Sequence, residues 1–265
     1  MNYIQSIILG IIEGITEFFP ISSTGHMIIA ATIMGILENK ITKLLVISTQ
    51  IGSILSIIFL YRKKIFVKKL DFYIKIFIAI LPIGIIGLLV QKKINFFLDN
   101  PIVVALSLFI GGLVILKSED IYDKKVFCEK NNCITYYKSF IIGLFQCISL
   151  IPGVSRSATT IVTCMLQNVD RKKSIEFSFF LSVPVIVIAT CKKLFDYYFQ
   201  FDYLTIDFFK EIKMILLGNL VSFMTSLVTI KYFMKYLKNN NFKLFGYYRI
   251  FLGIFFIVRH YLINL

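Results

Sequence analysis

Two carboxylates, Glu13 and Glu17, stand four residues apart inside an apolar run. On a helix that spacing places both on one face, with Cβ atoms about 5–6 Å apart. Ionisable side chains in such a run are expensive and mark functional sites, unless the helix lies at an interface with its acids in water. The segment Ser22-Ser23-Thr24-Gly25-His26 follows at once. Its hydroxyls can donate to phosphate oxygens or act as nucleophiles, and a histidine titrating near neutrality can carry the proton. A tight turn at Gly25 would bring His26 back onto Ser23. The chain's other histidine, His260, lacks comparable company and reads as an interfacial residue.

Arg156 lies in a second polar break, Pro152-Gly-Val-Ser-Arg-Ser157, flanked by apolar runs. Lys and Arg together number 29, and only five are arginines: 62, 156, 171, 249 and 259. Lysine is therefore the default cation here. An arginine between apolar runs suggests a planar, bidentate donor for phosphate or carboxylate. It could equally partner Glu13 or Glu17, and the two roles are compatible. Two carboxylates, a hydroxyl cluster, one histidine and one arginine supply charge clamps, a nucleophile and a proton carrier. Phosphoryl transfer needs those parts, so the pattern reads as a phosphate-ester or diphosphate site in a membrane.

The elements that position these residues follow from the composition. Of 265 residues, 57% are apolar and 17% charged, with a mean hydropathy of +0.80. A soluble domain is closer to half apolar and a quarter charged. The balance excludes a disordered chain, a disulfide scaffold and an ordinary soluble enzyme. Apolar runs fall at about 2–19, 27–37, 44–61, 72–90, 101–116, 139–151, 158–167, 177–191, 212–234 and 244–263. A bilayer-spanning helix needs about 20 residues, so the runs 27–37 and 158–167 are too short. Each follows a polar, Pro-containing break, and irregular backbone at membrane depth must be buried in protein or line a cavity. The expected fold is an all-α integral membrane protein with about six transmembrane helices and two re-entrant helical hairpins. The two breaks also align: Gly10-Ile-Ile-Glu13 falls on Gly143-Leu-Phe-Gln146, and Ser23 on Ser155 after a one-residue gap. Paired interrupted segments signal an inverted repeat. The expectation is one membrane domain over 1–265, with repeat one about 1–116 and repeat two about 134–265.

The formal net charge of +14 is assigned to short basic loops, Arg62-Lys63-Lys64 with Lys68-Lys69, and Arg171-Lys172-Lys173. The positive-inside rule and attraction to anionic lipid headgroups account for them. A basic groove interleaved with aromatics, as nucleic acid requires, is missing, so no nucleic-acid partner is expected. Cys128, Cys133, Cys147, Cys164 and Cys191 fit no zinc pattern and read as reduced small hydrophobes. The first run lacks a positive n-region and a small-residue cleavage site, so it is not read as a signal peptide.

Glu13-Gly-Ile-Thr-Glu17-Phe-Phe-Pro20-Ile-Ser-Ser-Thr-Gly-His26 resembles the first signature of the bacterial bacitracin-resistance protein family, the undecaprenyl-diphosphate phosphatases. Pro152-Gly-Val-Ser-Arg-Ser157 with Thr160 resembles the second. Thr49-Gln-Ile-Gly-Ser-Ile-Leu55 and Glu176-Phe-Ser-Phe-Phe-Leu-Ser-Val-Pro184 are similar to further family segments. The resemblance covers essentially the whole chain. It implies a multi-pass enzyme of the bacterial plasma (inner) membrane that hydrolyses undecaprenyl diphosphate to undecaprenyl phosphate and inorganic phosphate. That reaction recycles the lipid carrier for peptidoglycan synthesis and confers bacitracin resistance. The resemblance further implies a homodimer, a pocket on the outer side, and stimulation by a divalent cation, Mg or Ca. By matched position Glu17, Ser23, His26 and Arg156 fall on the family's catalytic centre. Glu13, Ser22, Thr24, Ser155, Ser157 and Thr160 are the substrate-binding surroundings, and Glu13 and Glu17 are the candidate metal ligands. One departure is Ala158, where the family has glycine; a Cβ there suits a helix but not a left-handed turn.

The expected mechanism has Ser23, activated by His26, attack the terminal phosphorus. The alternatives have His26 activate water or become phosphorylated itself. Two rivals are weighed. A lipid flippase would use the same broken helices, alone or in addition to hydrolysis. The phosphatidic-acid-phosphatase type needs a histidine six residues after the arginine and then an Asp, but Val162 and Leu166 stand there.

Overall fold

A computed structural model describes residues 1–98, 101–124, 133–199, 208–237 and 240–263. They form ten α-helices and one short 3-10 turn. In chain order the helices are α1 (Tyr3–Thr16), α2 (Ser23–Ile33), α3 (Lys40–Val67), α4 (Leu70–Leu98), α5 (Pro101–Asp123), α6 (Tyr136–Gln146), α7 (Arg156–Leu166), α8 (Arg171–Phe199), α9 (Phe208–Tyr236) and α10 (Lys243–Ile263). The 3-10 turn, Cys147–Leu150, continues α6 toward the second break.

Among the described residues five helices are long and apolar enough to cross a membrane: α3, α4, α5, α8 and α9. The chain is an all-α, multi-pass membrane protein. The sixth expected span, 244–263, is α10, whose 21 residues include Arg249, Arg259 and His260 among the apolar ones. Large apolar side chains such as Phe77, Leu88, Phe251 and Phe255 are exposed on the outer faces. A water-soluble surface would not tolerate so many, but a bilayer does. Cys133 is exposed and Cys164 buried, both as free thiols; Cys128 lies outside the described residues.

The basic clusters sit differently from expectation. Arg62, Lys63 and Lys64 belong to the last turns of α3, and Arg171 to Lys173 open α8. Only Lys68 and Lys69 connect α3 to α4. Long cationic side chains can ride on helix ends because their stems lie along apolar surface while their heads reach out. Lys68 does this over the Phe72 ring, 4.9 Å from its centroid.

Lipid is as apolar as leucine, so hydrophobicity does not drive helices together in a membrane. Close backbone approach and buried polar contacts do. α1 packs on α9, α6 on α4, α5 on α10 and α3 on α8. Exchanging the first five helices with the last five leaves this set of pairs unchanged. Hydroxyls stitch the α1–α3–α9 seam: Ser6 Oγ donates to the Met214 carbonyl at 2.6 Å, and Ser53 and Ser222 share a bond of 2.8 Å. An aromatic cluster around Phe18, Phe179 and Phe233 fills the centre. A charged staple closes one end. Glu119 of α5 is fully buried, pairs with Arg171 of α8, and accepts the Phe242 backbone N–H before α10 at 3.0 Å.

Candidate active site

Both breaks have the same local construction. α1 ends with the backbone N–H of Glu17 bonded to the Glu13 carbonyl, and the chain then leaves the helix. α2 restarts on Ser22, whose side chain accepts the Gly25 N–H at 3.3 Å. In the second break α7 starts on Ser155, whose side chain accepts the Ala158 N–H at 3.2 Å. Serine suits such N-caps because its oxygen takes a donor the helix cannot satisfy itself. Ser22 holds φ +71°, a left-handed conformation that non-glycine residues adopt at a cost of about 1–3 kcal/mol, usually at functional sites. Ala158 lies within the regular first turn of α7, so its Cβ is accommodated.

The first turns of α2 and α7 line one cavity of about 600 Å³. Its polar end carries Glu17, Ser22, Ser23, Thr24, Ser155, Arg156 and Ser157. Its apolar walls include Ile80, Ile83 and Leu88 of α4 and Val185, Ile186 and Ile188 of α8. Leu88 and Ile188 are also exposed outward, so the apolar side of the cavity reaches the lipid-facing surface. Two helix N-termini present unpaired N–H groups and positive dipole ends, which attract anions.

Glu17 is the centre of the polar end. Its Oε1 accepts from Arg156 Nη2 at 2.8 Å across the two breaks, and its Oε2 accepts from Ser23 Oγ at 2.5 Å. It is 7% exposed, so the acids do not lie in interfacial water. A buried ion pair is costly to desolvate, which argues for a role beyond stability. Arg156 Nη1 also reaches the Ser178 carbonyl at 3.4 Å. Ser178 Oγ in turn bonds Thr160 Oγ1 at 2.6 Å. Ser157 Oγ donates to the Phe19 carbonyl at 2.9 Å, a second link between the breaks.

The expectation that His26 bears on Ser23 differs from what the structure shows. Gly25 is helical, so His26 sits one turn into α2 rather than folding back. Its Nδ1 bonds the Ser22 carbonyl at 2.8 Å and its Nε2 bonds the Tyr248 hydroxyl at 2.7 Å. A carbonyl can only accept, so Nδ1 carries the proton, and Tyr248 donates to Nε2 of the neutral ring. His26, Glu13 and Thr160 are not among the residues lining the cavity. The sequence reading also missed Tyr248 and Arg249 of α10. Arg249 is 1% exposed, and the only signal for it was its membership of a short list of arginines.

Glu13 is 0% exposed, and neither of its carboxylate oxygens has a hydrogen-bond partner among the described residues. The two candidate cation ligands thus differ: Glu13 is closed off from the cavity beside Glu17, whereas Glu17 borders the cavity and is engaged by Arg156 and Ser23. Among the described residues no three His, Cys, Asp or Glu side chains gather as a metal cage. Mg²⁺ is often held by one or two carboxylates plus substrate phosphates, and of the two candidates only Glu17 borders the cavity.

A helical membrane bundle in which two helix N-termini and a Ser–Glu–Arg chain meet on a largely apolar cavity has the parts of a membrane-embedded enzyme. The family model described as bacitracin resistance protein BacA matches residues 6–255, and the chain belongs to that family. A Flavobacterium psychrophilum protein named undecaprenyl-diphosphatase is 50% identical over 264 residues, covering 100% of this chain and 98% of the relative. A Flavobacterium johnsoniae protein of the same name is 47% identical, with the same coverage. A third so named, from Bdellovibrio bacteriovorus, is 40% identical over 98% of this chain and 97% of its own length.

Proposed function

We propose that this chain hydrolyses undecaprenyl diphosphate to undecaprenyl phosphate and inorganic phosphate. The names of the relatives support the substrate. The observation that carries the chemistry is the convergence of the α2 and α7 N-termini with Ser23, Glu17 and Arg156 on one cavity whose lining is otherwise mostly apolar, with Lys192 and Lys193 also on it.

In this reading the diphosphate enters the polar end and the prenyl tail leaves along α4 and α8. Arg156 and the N-terminal N–H groups of α2 and α7 neutralise the terminal phosphate, where charge develops in the transition state. Ser23 Oγ attacks the terminal phosphorus and passes its proton to Glu17. The bond from phosphorus to the bridging oxygen breaks, and its electron pair leaves on undecaprenyl phosphate. Water then attacks the phosphoserine; the phosphorus–Oγ bond breaks, Oγ recovers a proton from Glu17, and phosphate departs. Both protons of the attacking water leave with the phosphate, while His26, held between the Ser22 carbonyl and Tyr248, fixes the first turn of α2 that presents Ser23. Glu17, the candidate cation ligand that borders the cavity, would hold a divalent cation there, and the cation would supply charge neutralisation to the diphosphate.

The family resemblance supports placement in the bacterial plasma membrane, a pocket facing the outer side and a dimer. It likewise supports a role in recycling the carrier for peptidoglycan synthesis and in bacitracin resistance. The test is product analysis with purified protein and undecaprenyl diphosphate, with and without chelator. One phosphate released per undecaprenyl phosphate formed is expected, and slower release with chelator. A protein that binds the lipid but releases no phosphate would be a carrier or flippase, and the proposal would fall.

A further inference from the structure

Arg249 is the largest fully buried side chain in the molecule as described. A buried guanidinium needs an explanation, because an uncompensated charge in an apolar interior is very costly. It has no carboxylate within salt-bridge distance among the described residues. Four backbone carbonyls surround it instead. Nη1 donates to Pro20 at 3.1 Å, Nη2 to Gly153 at 3.0 Å and Ser107 at 3.1 Å, and Nε to Leu108 at 3.4 Å. Pro20 belongs to the first break and Gly153 to the second, while Ser107 and Leu108 lie on α5. One side chain from α10 therefore grips both active-site breaks and braces them against α5.

The sequence makes room for this grip. A Cβ at Gly111 would stand 2.1 Å from Nη2 and 2.7 Å from Cζ of Arg249, and its three nearest atoms would all belong to that side chain. Gly111 is thus the opening through which the guanidinium reaches the carbonyls one turn earlier on α5. Gly153 serves the same node from the other side. It holds φ +89°, and a Cβ there would meet the Val104 carbonyl at 2.6 Å. Lysine could not replace Arg249 at this node: its ammonium is a compact point donor, whereas the guanidinium offers five N–H groups in a fixed fork.

We propose that Arg249 is a positioning residue for the phosphoryl-transfer site. By binding the carbonyls of Pro20 and Gly153 it sets the separation between the break that carries Glu17 and Ser23 and the break that carries Arg156. The proposal rests on the hydrolytic reading above. Arg249 touches no reacting atom, so its loss changes the alignment of nucleophile and clamp rather than the binding of the lipid tail.

The test measures kcat and KM for undecaprenyl diphosphate with the full chain purified in detergent. Misplacement of reacting groups by about 1 Å can cost about 10²-fold in rate. Arg249→Lys and Gly111→Ala are each expected to lower kcat by roughly that factor while KM moves much less. Because both act on one contact, the double variant Arg249→Lys/Gly111→Ala should lose far less than the product of the single losses. Wild-type kcat in either single variant would overturn the inference, and so would losses that simply multiply. If neither single variant gives a folded, monodisperse protein, Arg249 serves the stability of the whole bundle and the positioning role is refuted. Absence of phosphate release by the wild-type protein would instead refute the hydrolytic reading, which separates the two failures.

Discussion

At the scale of single residues, the site is a chain of short contacts with an order to it: Arg156 to Glu17 at 2.8 Å, and Glu17 to Ser23 at 2.5 Å. In the proposed reaction the carboxylate both holds the Arg156 clamp and accepts the proton of Ser23. Tyr248 acts on the other side of α2, where its hydroxyl bonds His26 and its ring stacks on the imidazole at 5.7 Å with an 8° tilt. Tyr248→Phe keeps the ring and removes one hydrogen bond, with a net value of about 1 kcal/mol. Turnover should therefore fall by roughly five- to tenfold, measured as initial phosphate release, and an unchanged rate would remove Tyr248 from the site. Glu13, Glu17 and Arg156 were legible in the sequence because charge is conspicuous in apolar runs. Tyr248 was not: it is one of 14 tyrosines, and its partner lies 222 residues away. The turn onto Ser23 was misjudged because Gly25 permits a turn without requiring one, and the Ser22 cap commits the segment to helix.

At the scale of elements, the two breaks are as much capped helix starts as interruptions. Ser22 and Ser155 end the irregular backbone, start α2 and α7, and leave the next residues, Ser23 and Arg156, facing the cavity. Serine suits that capping position, a role separate from the hydroxyl chemistry that the sequence suggests for the segment. The ends of the long helices were less legible, because charged residues were read as loops where they extend α3 and open α8. Glu119 shows why such charges can sit on helix ends: it is satisfied by Arg171 and by the Phe242 N–H from two other elements. Removing the acceptor of a buried N–H typically costs about 1–3 kcal/mol, and Arg171 keeps Asp123 as a partner. Glu119→Ala should lower stability by that order in a reversible detergent unfolding experiment. A change near zero would show that the staple does not hold α5, α8 and α10 together.

At the scale of the whole molecule, composition points to a polytopic membrane protein, since no soluble fold could hide so much apolar surface, and the run lengths point to helices. The run lengths also foretold two short helix–break–helix units, and α1 with α2 and α6 with α7 do pack as pairs. What composition could not foretell is how α10 reaches both breaks, because nothing local in its sequence records the carbonyls that Arg249 finds. The net charge of +14 has little bearing on the substrate; the few charges in the apolar interior define the chemistry. The central claim is that Ser23, activated by Glu17 and faced by Arg156, attacks the terminal phosphate of a polyprenyl diphosphate. The most direct test is phosphate release from undecaprenyl diphosphate by Ser23→Ala beside the wild type. The account predicts a loss of at least about 10²-fold, the lower end for removal of a group that takes part in the transition state. Turnover by Ser23→Ala near the wild-type rate would contradict it.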